Sequence, residues 1–458
     1  MYHIDFKKPE HIHFIGIGGI SMSGLAEILL QAGFTVSGSD AHESPLTDRL
    51  QEKGARIVYG QRAENITDDI DAVVYTAAVH PDNPEYRAAQ EKQLPILSRA
   101  QLLGQMMTNY AVSVGIAGTH GKTTTTSMVT EILLAAEADP TISVGGILQS
   151  IGGNVRVGQS EIFVTEACEY TNSFLSFYPN REIILNIEAD HLDFFKDIED
   201  IRHSFREFAA RLDQDGLLII NSDIRDLQEI VEGLSCRILT FGRQAESDLT
   251  AADITYDHYA RPSFDLIRGG RKEDRITLSV PGEHNVYNAL AAIALCLDLG
   301  ISLETIKQGL LSFQGTDRRF QKKGEFAGVT VIDDYAHHPQ EIAATLAAAA
   351  NYPHKKLWCV FQSHTYTRTK AFLDEFAESL SAADEVLLAP IYAARETDTL
   401  GISSEDIAKG IAARGVPVHC LSTFAQIEEY ARIHCRPGDL LITMGAGDIV
   451  KVGENLVS

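Results

Sequence analysis

The chain has 458 residues, 45% of them hydrophobic and 22% charged, which sets a prior of about three folded domains and excludes extended disorder. Its 63 acidic side chains against 39 basic ones repel nucleic acid and anionic membrane, so neither is expected as a partner. Six scattered cysteines without a C-x-x-C pair argue against a zinc cluster or a disulfide framework, and the absence of an apolar leader or a long apolar run predicts a cytoplasmic protein without a membrane span.

Short β-branched runs alternate with helical patterns throughout, which predicts an α/β fold with mainly parallel sheets. Strands are expected at 11–15, 34–37, 56–59 and 72–76, with a helix over 21–31, and a connecting helix over 98–107 closes a first, Rossmann-like domain at 1–106. A strand at 110–116 opens the second domain, 107–315. It continues through strands at 161–165, 182–187 and 217–221 and ends in helices over 285–299 and 303–313. The third domain, 316–458, has strands at 329–332, 356–361, 385–389 and 439–443, and no internal repeat is visible beyond this α/β rhythm.

Two glycine loops follow strands. The first, Gly16-Ile17-Gly18-Gly19-Ile20-Ser21-Met22-Ser23-Gly24, lets backbone N–H groups approach a pyrophosphate at a helix N-terminus. Ser21 stands where a dinucleotide fingerprint wants Gly or Ala, and Asp40 ends the next strand where an acid commonly holds a ribose, so a dinucleotide and another nucleoside diphosphate both remain open. The second loop, Gly118-Thr119-His120-Gly121-Lys122-Thr123-Thr124, has the nest, lysine and hydroxyl that hold nucleotide phosphates and Mg²⁺. Ile116 occupies the position where strict spacing wants glycine, which makes the loop a variant. An amphipathic helix is expected after it, to about residue 135.

Glu166 and Asn186-Ile187-Glu188-Ala189-Asp190-His191 also follow strands, so three strand ends are expected to place polar groups on one rim of a parallel sheet. In the third domain Asp333-Asp334-Tyr335-Ala336-His337-His338-Pro339 and Phe361-Gln362-Ser363-His364-Thr365-Tyr366-Thr367-Arg368 do the same. Adjacent His337 and His338 should point apart, which disfavours a shared metal.

With Pro281-Gly282-Glu283-His284-Asn285, Asp317-Arg318-Arg319-Phe320 and Gly445-Ala446-Gly447-Asp448, these motifs resemble, over nearly the whole chain, the Mur ligases of peptidoglycan synthesis, and most closely their alanine-adding branch. The resemblance implies three domains, for a UDP-sugar, for ATP and for an amino acid, and an ATP-dependent ligation of L-alanine to the lactyl carboxylate of UDP-N-acetylmuramate. It assigns Gly16, Gly18, Gly19, Ser21, Met22, Ser23, Ser39, Asp40, Thr76, Ala77 and Arg99 to the UDP-sugar. Gly118, Thr119, His120, Gly121, Lys122, Thr123, Thr124, Asn186, His284, Asn285, Arg319 and Asp333 go to ATP. Thr123 and Glu166 would hold one Mg²⁺ and His191 a second. Lys122, Arg319, His337, His364 and Arg368 would act in catalysis; from its position alone, His337 is a candidate general base for the amine.

Several departures accompany the resemblance. The segment 202–212 carries no lysine for the carbamate found in many relatives, Thr365 stands where some of the branch have arginine, and Cys168 replaces a common acid. A recycling ligase that adds a preformed tripeptide is the nearest alternative reading, and an NAD-dependent oxidoreductase a distant one. Monomer and homodimer stay open.

Overall fold

The structure, a computed structural model, describes residues 2–76 and 78–458. Among these residues three sheets form, one per predicted domain.

In the first, β1 (His11–Ile15), β2 (Thr35–Asp40), β3 (Arg56–Tyr59), β4 (Ala72–Tyr75) and β5 (Ile96–Ser98) lie parallel in the order β3-β2-β1-β4-β5. All five residues of β1 are buried, as suits a strand with neighbours on both sides and helices over both faces. Gly16 turns the chain out of β1 at φ +83°, and the helix Ile20–Gln31 follows with Gly19 at its N-cap. The connecting helix Arg99–Met107 begins in a capping box between Ser98 and Gln101.

The middle sheet contains β6 (Val112–Ala117), β7 (Thr141–Leu148), β8 (Gly153–Arg156), β9 (Ile162–Glu166), β10 (Arg181–Ile184), β11 (Leu217–Asn221), β12 (Arg237–Gly242), β13 (Leu249–Tyr256), β14 (Pro262–Arg268) and β15 (Arg271–Thr277), ordered β15-β14-β13-β12-β11-β10-β6-β9-β7-β8. Its centre is parallel, but β13–β14–β15 and β7–β8 are antiparallel hairpins at the edges. The sheet is thus mainly parallel, as expected, with the antiparallel hairpins confined to its margins. The helix Lys122–Ala135 is not amphipathic as expected: Thr125 through Leu133 are all buried between this sheet and the helices His284–Asp298 and Leu303–Ser312. Gly309 permits that close packing, since a Cβ there would lie 2.5 Å from Ile132 Cα.

The opposite face of the middle sheet shares one apolar core with the first domain, in which Leu102, Leu103, Met106 and Met107 meet Phe174, Phe177 and Phe205. Burial at ~25 cal/mol per Å² makes such a seam costly to open. The third sheet, β16 (Gln321–Phe326), β17 (Val329–Asp334), β18 (Leu357–Phe361), β19 (Glu385–Leu388), β20 (Val418–Cys420) and β21 (Leu440–Met444), is ordered β16-β17-β21-β18-β19-β20, with only β16 antiparallel. Its two faces carry separate apolar clusters under flanking helices. No helix of the described residues is long and apolar enough to cross a membrane.

Candidate active site between the middle and third domains

Strands β10, β6 and β9 are adjacent and parallel, so Asn186, Gly118 and Glu166 leave the same edge of the middle sheet. Gly118 and Gly121 adopt φ of +142° and +86°. A Cβ at Gly121 would sit 2.6 Å from Asn288 Oδ1, so this turn admits only glycine. Asn186 clamps the loop at both ends of one residue: its Oδ1 accepts the His120 N–H at 2.7 Å, and its Nδ2 donates to the His120 carbonyl at 3.1 Å. Thr119 is tied to Glu188, whose N–H donates to Thr119 Oγ1 at 2.9 Å.

The Lys122 ammonium donates to the Gly118 and Thr119 carbonyls and to both oxygens of Glu169, at 2.9 and 3.2 Å. Burial alone would lower its proton affinity; the Glu169 carboxylate outweighs that and keeps the amine charged. Glu166 accepts the Gly145 N–H and faces the Thr123 side chain, while burial raises its carboxyl above the usual range. His191, at φ +52°, stacks on Tyr170 with ring centroids 4.4 Å apart.

The rim of the third sheet faces this edge. Arg368 donates to Asp190, His338 Nε2 lies 3.1 Å from the Ala189 carbonyl, and His120 Nδ1 lies 3.2 Å from Glu341 Oε1. His337 turns the other way, toward Glu341 and His364, so the paired histidines do point apart. His120 lies between the carboxylates of Glu188 and Glu341. Burial opposes its charge, but the two acids push its imidazole up to about 9, which favours the charged form within the second glycine loop. Burial lowers His284, His338 and His364 to about 4, so those rings are neutral.

Between the domains lies a cavity of about 580 Å³. His120, Gly121, Thr124, Asn186, His284, Asn285 and Arg319 all line it. Asp333 does not. Its carboxylate is fully buried, accepting from Arg318 Nε at 3.0 Å and from Thr443 Oγ1 at 2.7 Å, and Asp334 reaches the cavity instead. Both acids also brace the chain on either side of Arg319. Arg318 and Phe320 take left-handed φ of +62° and +47°, a strain of about 1–3 kcal/mol each. Asp333 holds the Arg318 guanidinium and Asp334 accepts the Phe320 N–H at 2.8 Å, which fixes Arg319 between them. Burial, against the pull of Arg319, raises Asp334 to about 6.

In the first domain the Gly18 N–H donates to Asp40 Oδ2 at 2.8 Å, so this acid already braces the first glycine loop. Gly19 and Ser21 are exposed. Met22, Ser23 and Ser39 face inward: Ser23 Oγ donates to the Ile20 carbonyl, and Ser39 Oγ to Glu85 at 2.6 Å. Thr76 packs beside Gly16, Ala77 lies outside the described residues, and Arg99 is half-buried near Cys168, where burial lowers its guanidinium.

Sequence reasoning named Glu188 only within its motif and missed Glu169, Asn288 and Glu341. Asn288 was detectable, because it lies one turn beyond Asn285 on the same helix face and donates to Asn285 Oδ1 at 3.0 Å. Glu341 had a weaker signal, a Glu at the third position after the Pro-initiated start of the helix Pro339–Ala350.

A phosphate loop facing a second α/β rim that supplies an arginine and two histidines defines a nucleotide-dependent enzyme assembled from two domains. Family models described as "Mur ligase family, catalytic domain", "Mur ligase middle domain" and "Mur ligase, glutamate ligase domain" match residues 11–111, 116–296 and 318–447, and the chain belongs to the Mur ligase family. Its relatives include the UDP-N-acetylmuramate–L-alanine ligase of Lachnospira eligens, 62% identical over 458 residues and all of both chains. That of Agathobacter rectalis is 61% identical over 457 residues, again 100% of both. Among solved structures it is similar to the UDP-N-acetylmuramate-alanine ligase of Thermotoga maritima, with TM-score 0.78 and 31% identity over 98% of each chain. A murein peptide ligase of Psychrobacter arcticus follows with TM-score 0.68 and 26% identity, also over 98% of each.

Proposed function

We infer that the chain joins L-alanine to the lactyl carboxylate of UDP-N-acetylmuramate at the expense of ATP, a step of peptidoglycan precursor synthesis carried out in the cytoplasm. The observation that carries this reading is the cavity in which the second glycine loop faces Arg319, with Glu341 joining His120 to His337 beside it, in a chain so similar, end to end, to ligases of that name.

ATP occupies the cavity with its base toward His284 and Asn285 and its phosphates on the N–H groups of 118–124, where the helix N-terminus favours negative charge. Lys122 exchanges Glu169 for the phosphates. The UDP moiety lies on the first glycine loop, at Gly16, Gly18, Gly19 and Ser21, with Thr76 and Arg99 beside it. The hydroxyl of Thr123 next to the Glu166 carboxylate, at the ends of adjacent structural elements, is a donor set that fits Mg²⁺, and His191 suits a second ion. The metal when bound offsets charge on the phosphate oxygens.

A carboxylate cannot acylate an amine directly because its leaving group would be oxide. A lactyl carboxylate oxygen therefore attacks the γ-phosphorus, the bond to ADP breaks, and an acyl phosphate forms. Lys122, the His120 imidazolium and Arg319 offset the charge on the transferring group. The amine of L-alanine, its carboxylate held by Arg368, then attacks the acyl carbon. The C–O bond to phosphate breaks and the amine proton passes to His337, whose ring faces that of His364. Positioning and electrostatics supply most of the acceleration, since two anions must be brought together first.

The test is ADP release with UDP-N-acetylmuramate and L-alanine, glycine, L-serine or a preformed tripeptide, in the parent and in Lys122→Ala. L-alanine is expected to be preferred and the variant to lose at least ~10²-fold in kcat. Equal activity in the two proteins, or preference for the tripeptide, overturns the assignment.

A further inference from the structure

Glu341 divides one carboxylate between two domains. Its Oε2 lies 3.2 Å from His337 Nδ1 and accepts the His337 backbone N–H at 3.0 Å. Its Oε1 lies 3.2 Å from Nδ1 of His120 in the phosphate loop and 3.8 Å from Arg319 Nη1. The carboxylate is nearly enclosed; His120 and Arg319 supply the positive charge, and the His337 backbone N–H a hydrogen bond, that burial demands.

This geometry fixes a tautomer. The other atom near His337 Nδ1 is the Tyr335 carbonyl oxygen, at 3.0 Å. A carbonyl and a carboxylate only accept, so Nδ1 bears the proton, and in the neutral ring Nε2 keeps its lone pair. The free nitrogen belongs to the ring that faces His364, with centroids 6.0 Å apart, at the rim where Arg368 also emerges.

We propose that Glu341 is the positioning residue of the amine-transfer step, holding His337 with Nε2 ready to accept the amine proton, and that its second oxygen, bound to His120, ties this arrangement to the docked phosphate loop. The inference rests on the ligase reading with His337 as proton acceptor. Sharing one carboxylate makes the amine step competent only when the two rims are in contact. The acyl phosphate is then exposed to an activated acceptor while the domains exclude water.

The experiment separates the two half-reactions. With UDP-N-acetylmuramate and ATP but no amino acid, acyl phosphate is trapped by borohydride reduction; with L-alanine, ligation is followed to product. Glu341→Gln is expected to lower alanine-dependent kcat about 10²-fold while trapped acyl phosphate and KM for ATP change by no more than about threefold. The double variant Glu341→Gln/His337→Asn should fall no further than His337→Asn alone, because a residue acting through another is non-additive with it. His120→Gln, which leaves the His337 contact intact, should raise KM for ATP more than it lowers kcat.

Equal loss of trapping and ligation in Glu341→Gln, full additivity with His337→Asn, or no loss at all would each overturn the proposal. Failure of the parent itself to ligate L-alanine while still forming acyl phosphate would instead strike at the choice of acceptor, leaving the two results distinguishable.

Discussion

Arg368 donates through both Nε and Nη2 to a single oxygen of Asp190, Oδ1, at 3.2 and 2.8 Å, and so joins the third domain to the middle one. Both side chains are nearly buried, at 10% and 7% exposure, so neither charge has water as an alternative partner. Burial would raise the Asp190 carboxyl, but the guanidinium holds it well below the usual carboxylate range. Arg368 Nη1 also lies 3.3 Å from His364 Nδ1, which must accept, consistent with a neutral His364. On the proposed reading, the carboxylate of L-alanine would compete with Asp190 for this guanidinium.

Arg368→Ala is therefore expected to raise KM for L-alanine at least about tenfold with KM for ATP much less affected. It should also loosen the docking of the third domain, seen as a larger radius of gyration by small-angle scattering. An unchanged KM for L-alanine would remove Arg368 from the acceptor site.

His120 predicts a pH window. Its imidazole stands at about 9 in the folded protein against an ordinary value of 6.5. A raised histidine contributes stability in full below 6.5, and that contribution declines as pH rises and is gone above about 9. Parent and His120→Gln should differ most in thermal midpoint at pH 6 and converge by about pH 9.5. A constant gap across this range would show that His120 is not charged in the folded state.

Glu182 predicts the opposite kind of substitution effect, a gain. It lies in β10 with no exposure, and neither carboxylate oxygen has a hydrogen-bond partner. Burial raises its proton affinity well above 4.5, only partly offset by Arg211. Its raised folded value means that stability is full below 4.5 and is lost as pH rises toward that value. Relative to the parent, Glu182→Gln should gain about 1–3 kcal/mol between pH 5 and pH 8, measured from denaturant midpoints. A difference independent of pH would contradict a buried neutral acid.

Much of the architecture was legible because its signals are local. The strands 56–59 and 217–221 coincide with β3 and β11, since turn residues bound compact apolar runs. Edge hairpins such as β13–β14–β15 escaped, because their alternation is broken by charged residues of 271–275. The helix Lys122–Ala135 was misread as amphipathic: its threonines are polar by composition yet buried, with Thr130 Oγ1 donating to the Thr126 carbonyl at 2.8 Å. Asp333 was drawn to the nucleotide by its motif, whereas packing turned its side chain to Arg318 and gave the cavity to Asp334.

By itself the sequence determined the α/β class, the two glycine loops and the family, because each depends on contiguous residues whose backbone needs are written in glycine, lysine and hydroxyl positions. Only the tertiary structure decided which charges meet. Asp190 and Arg368 are 178 residues apart, and His120 and Glu341 lie in different domains. Those pairs exist because the parallel centres of two sheets present their strand ends to each other, and once buried, each charge must find whichever partner that packing brings within reach.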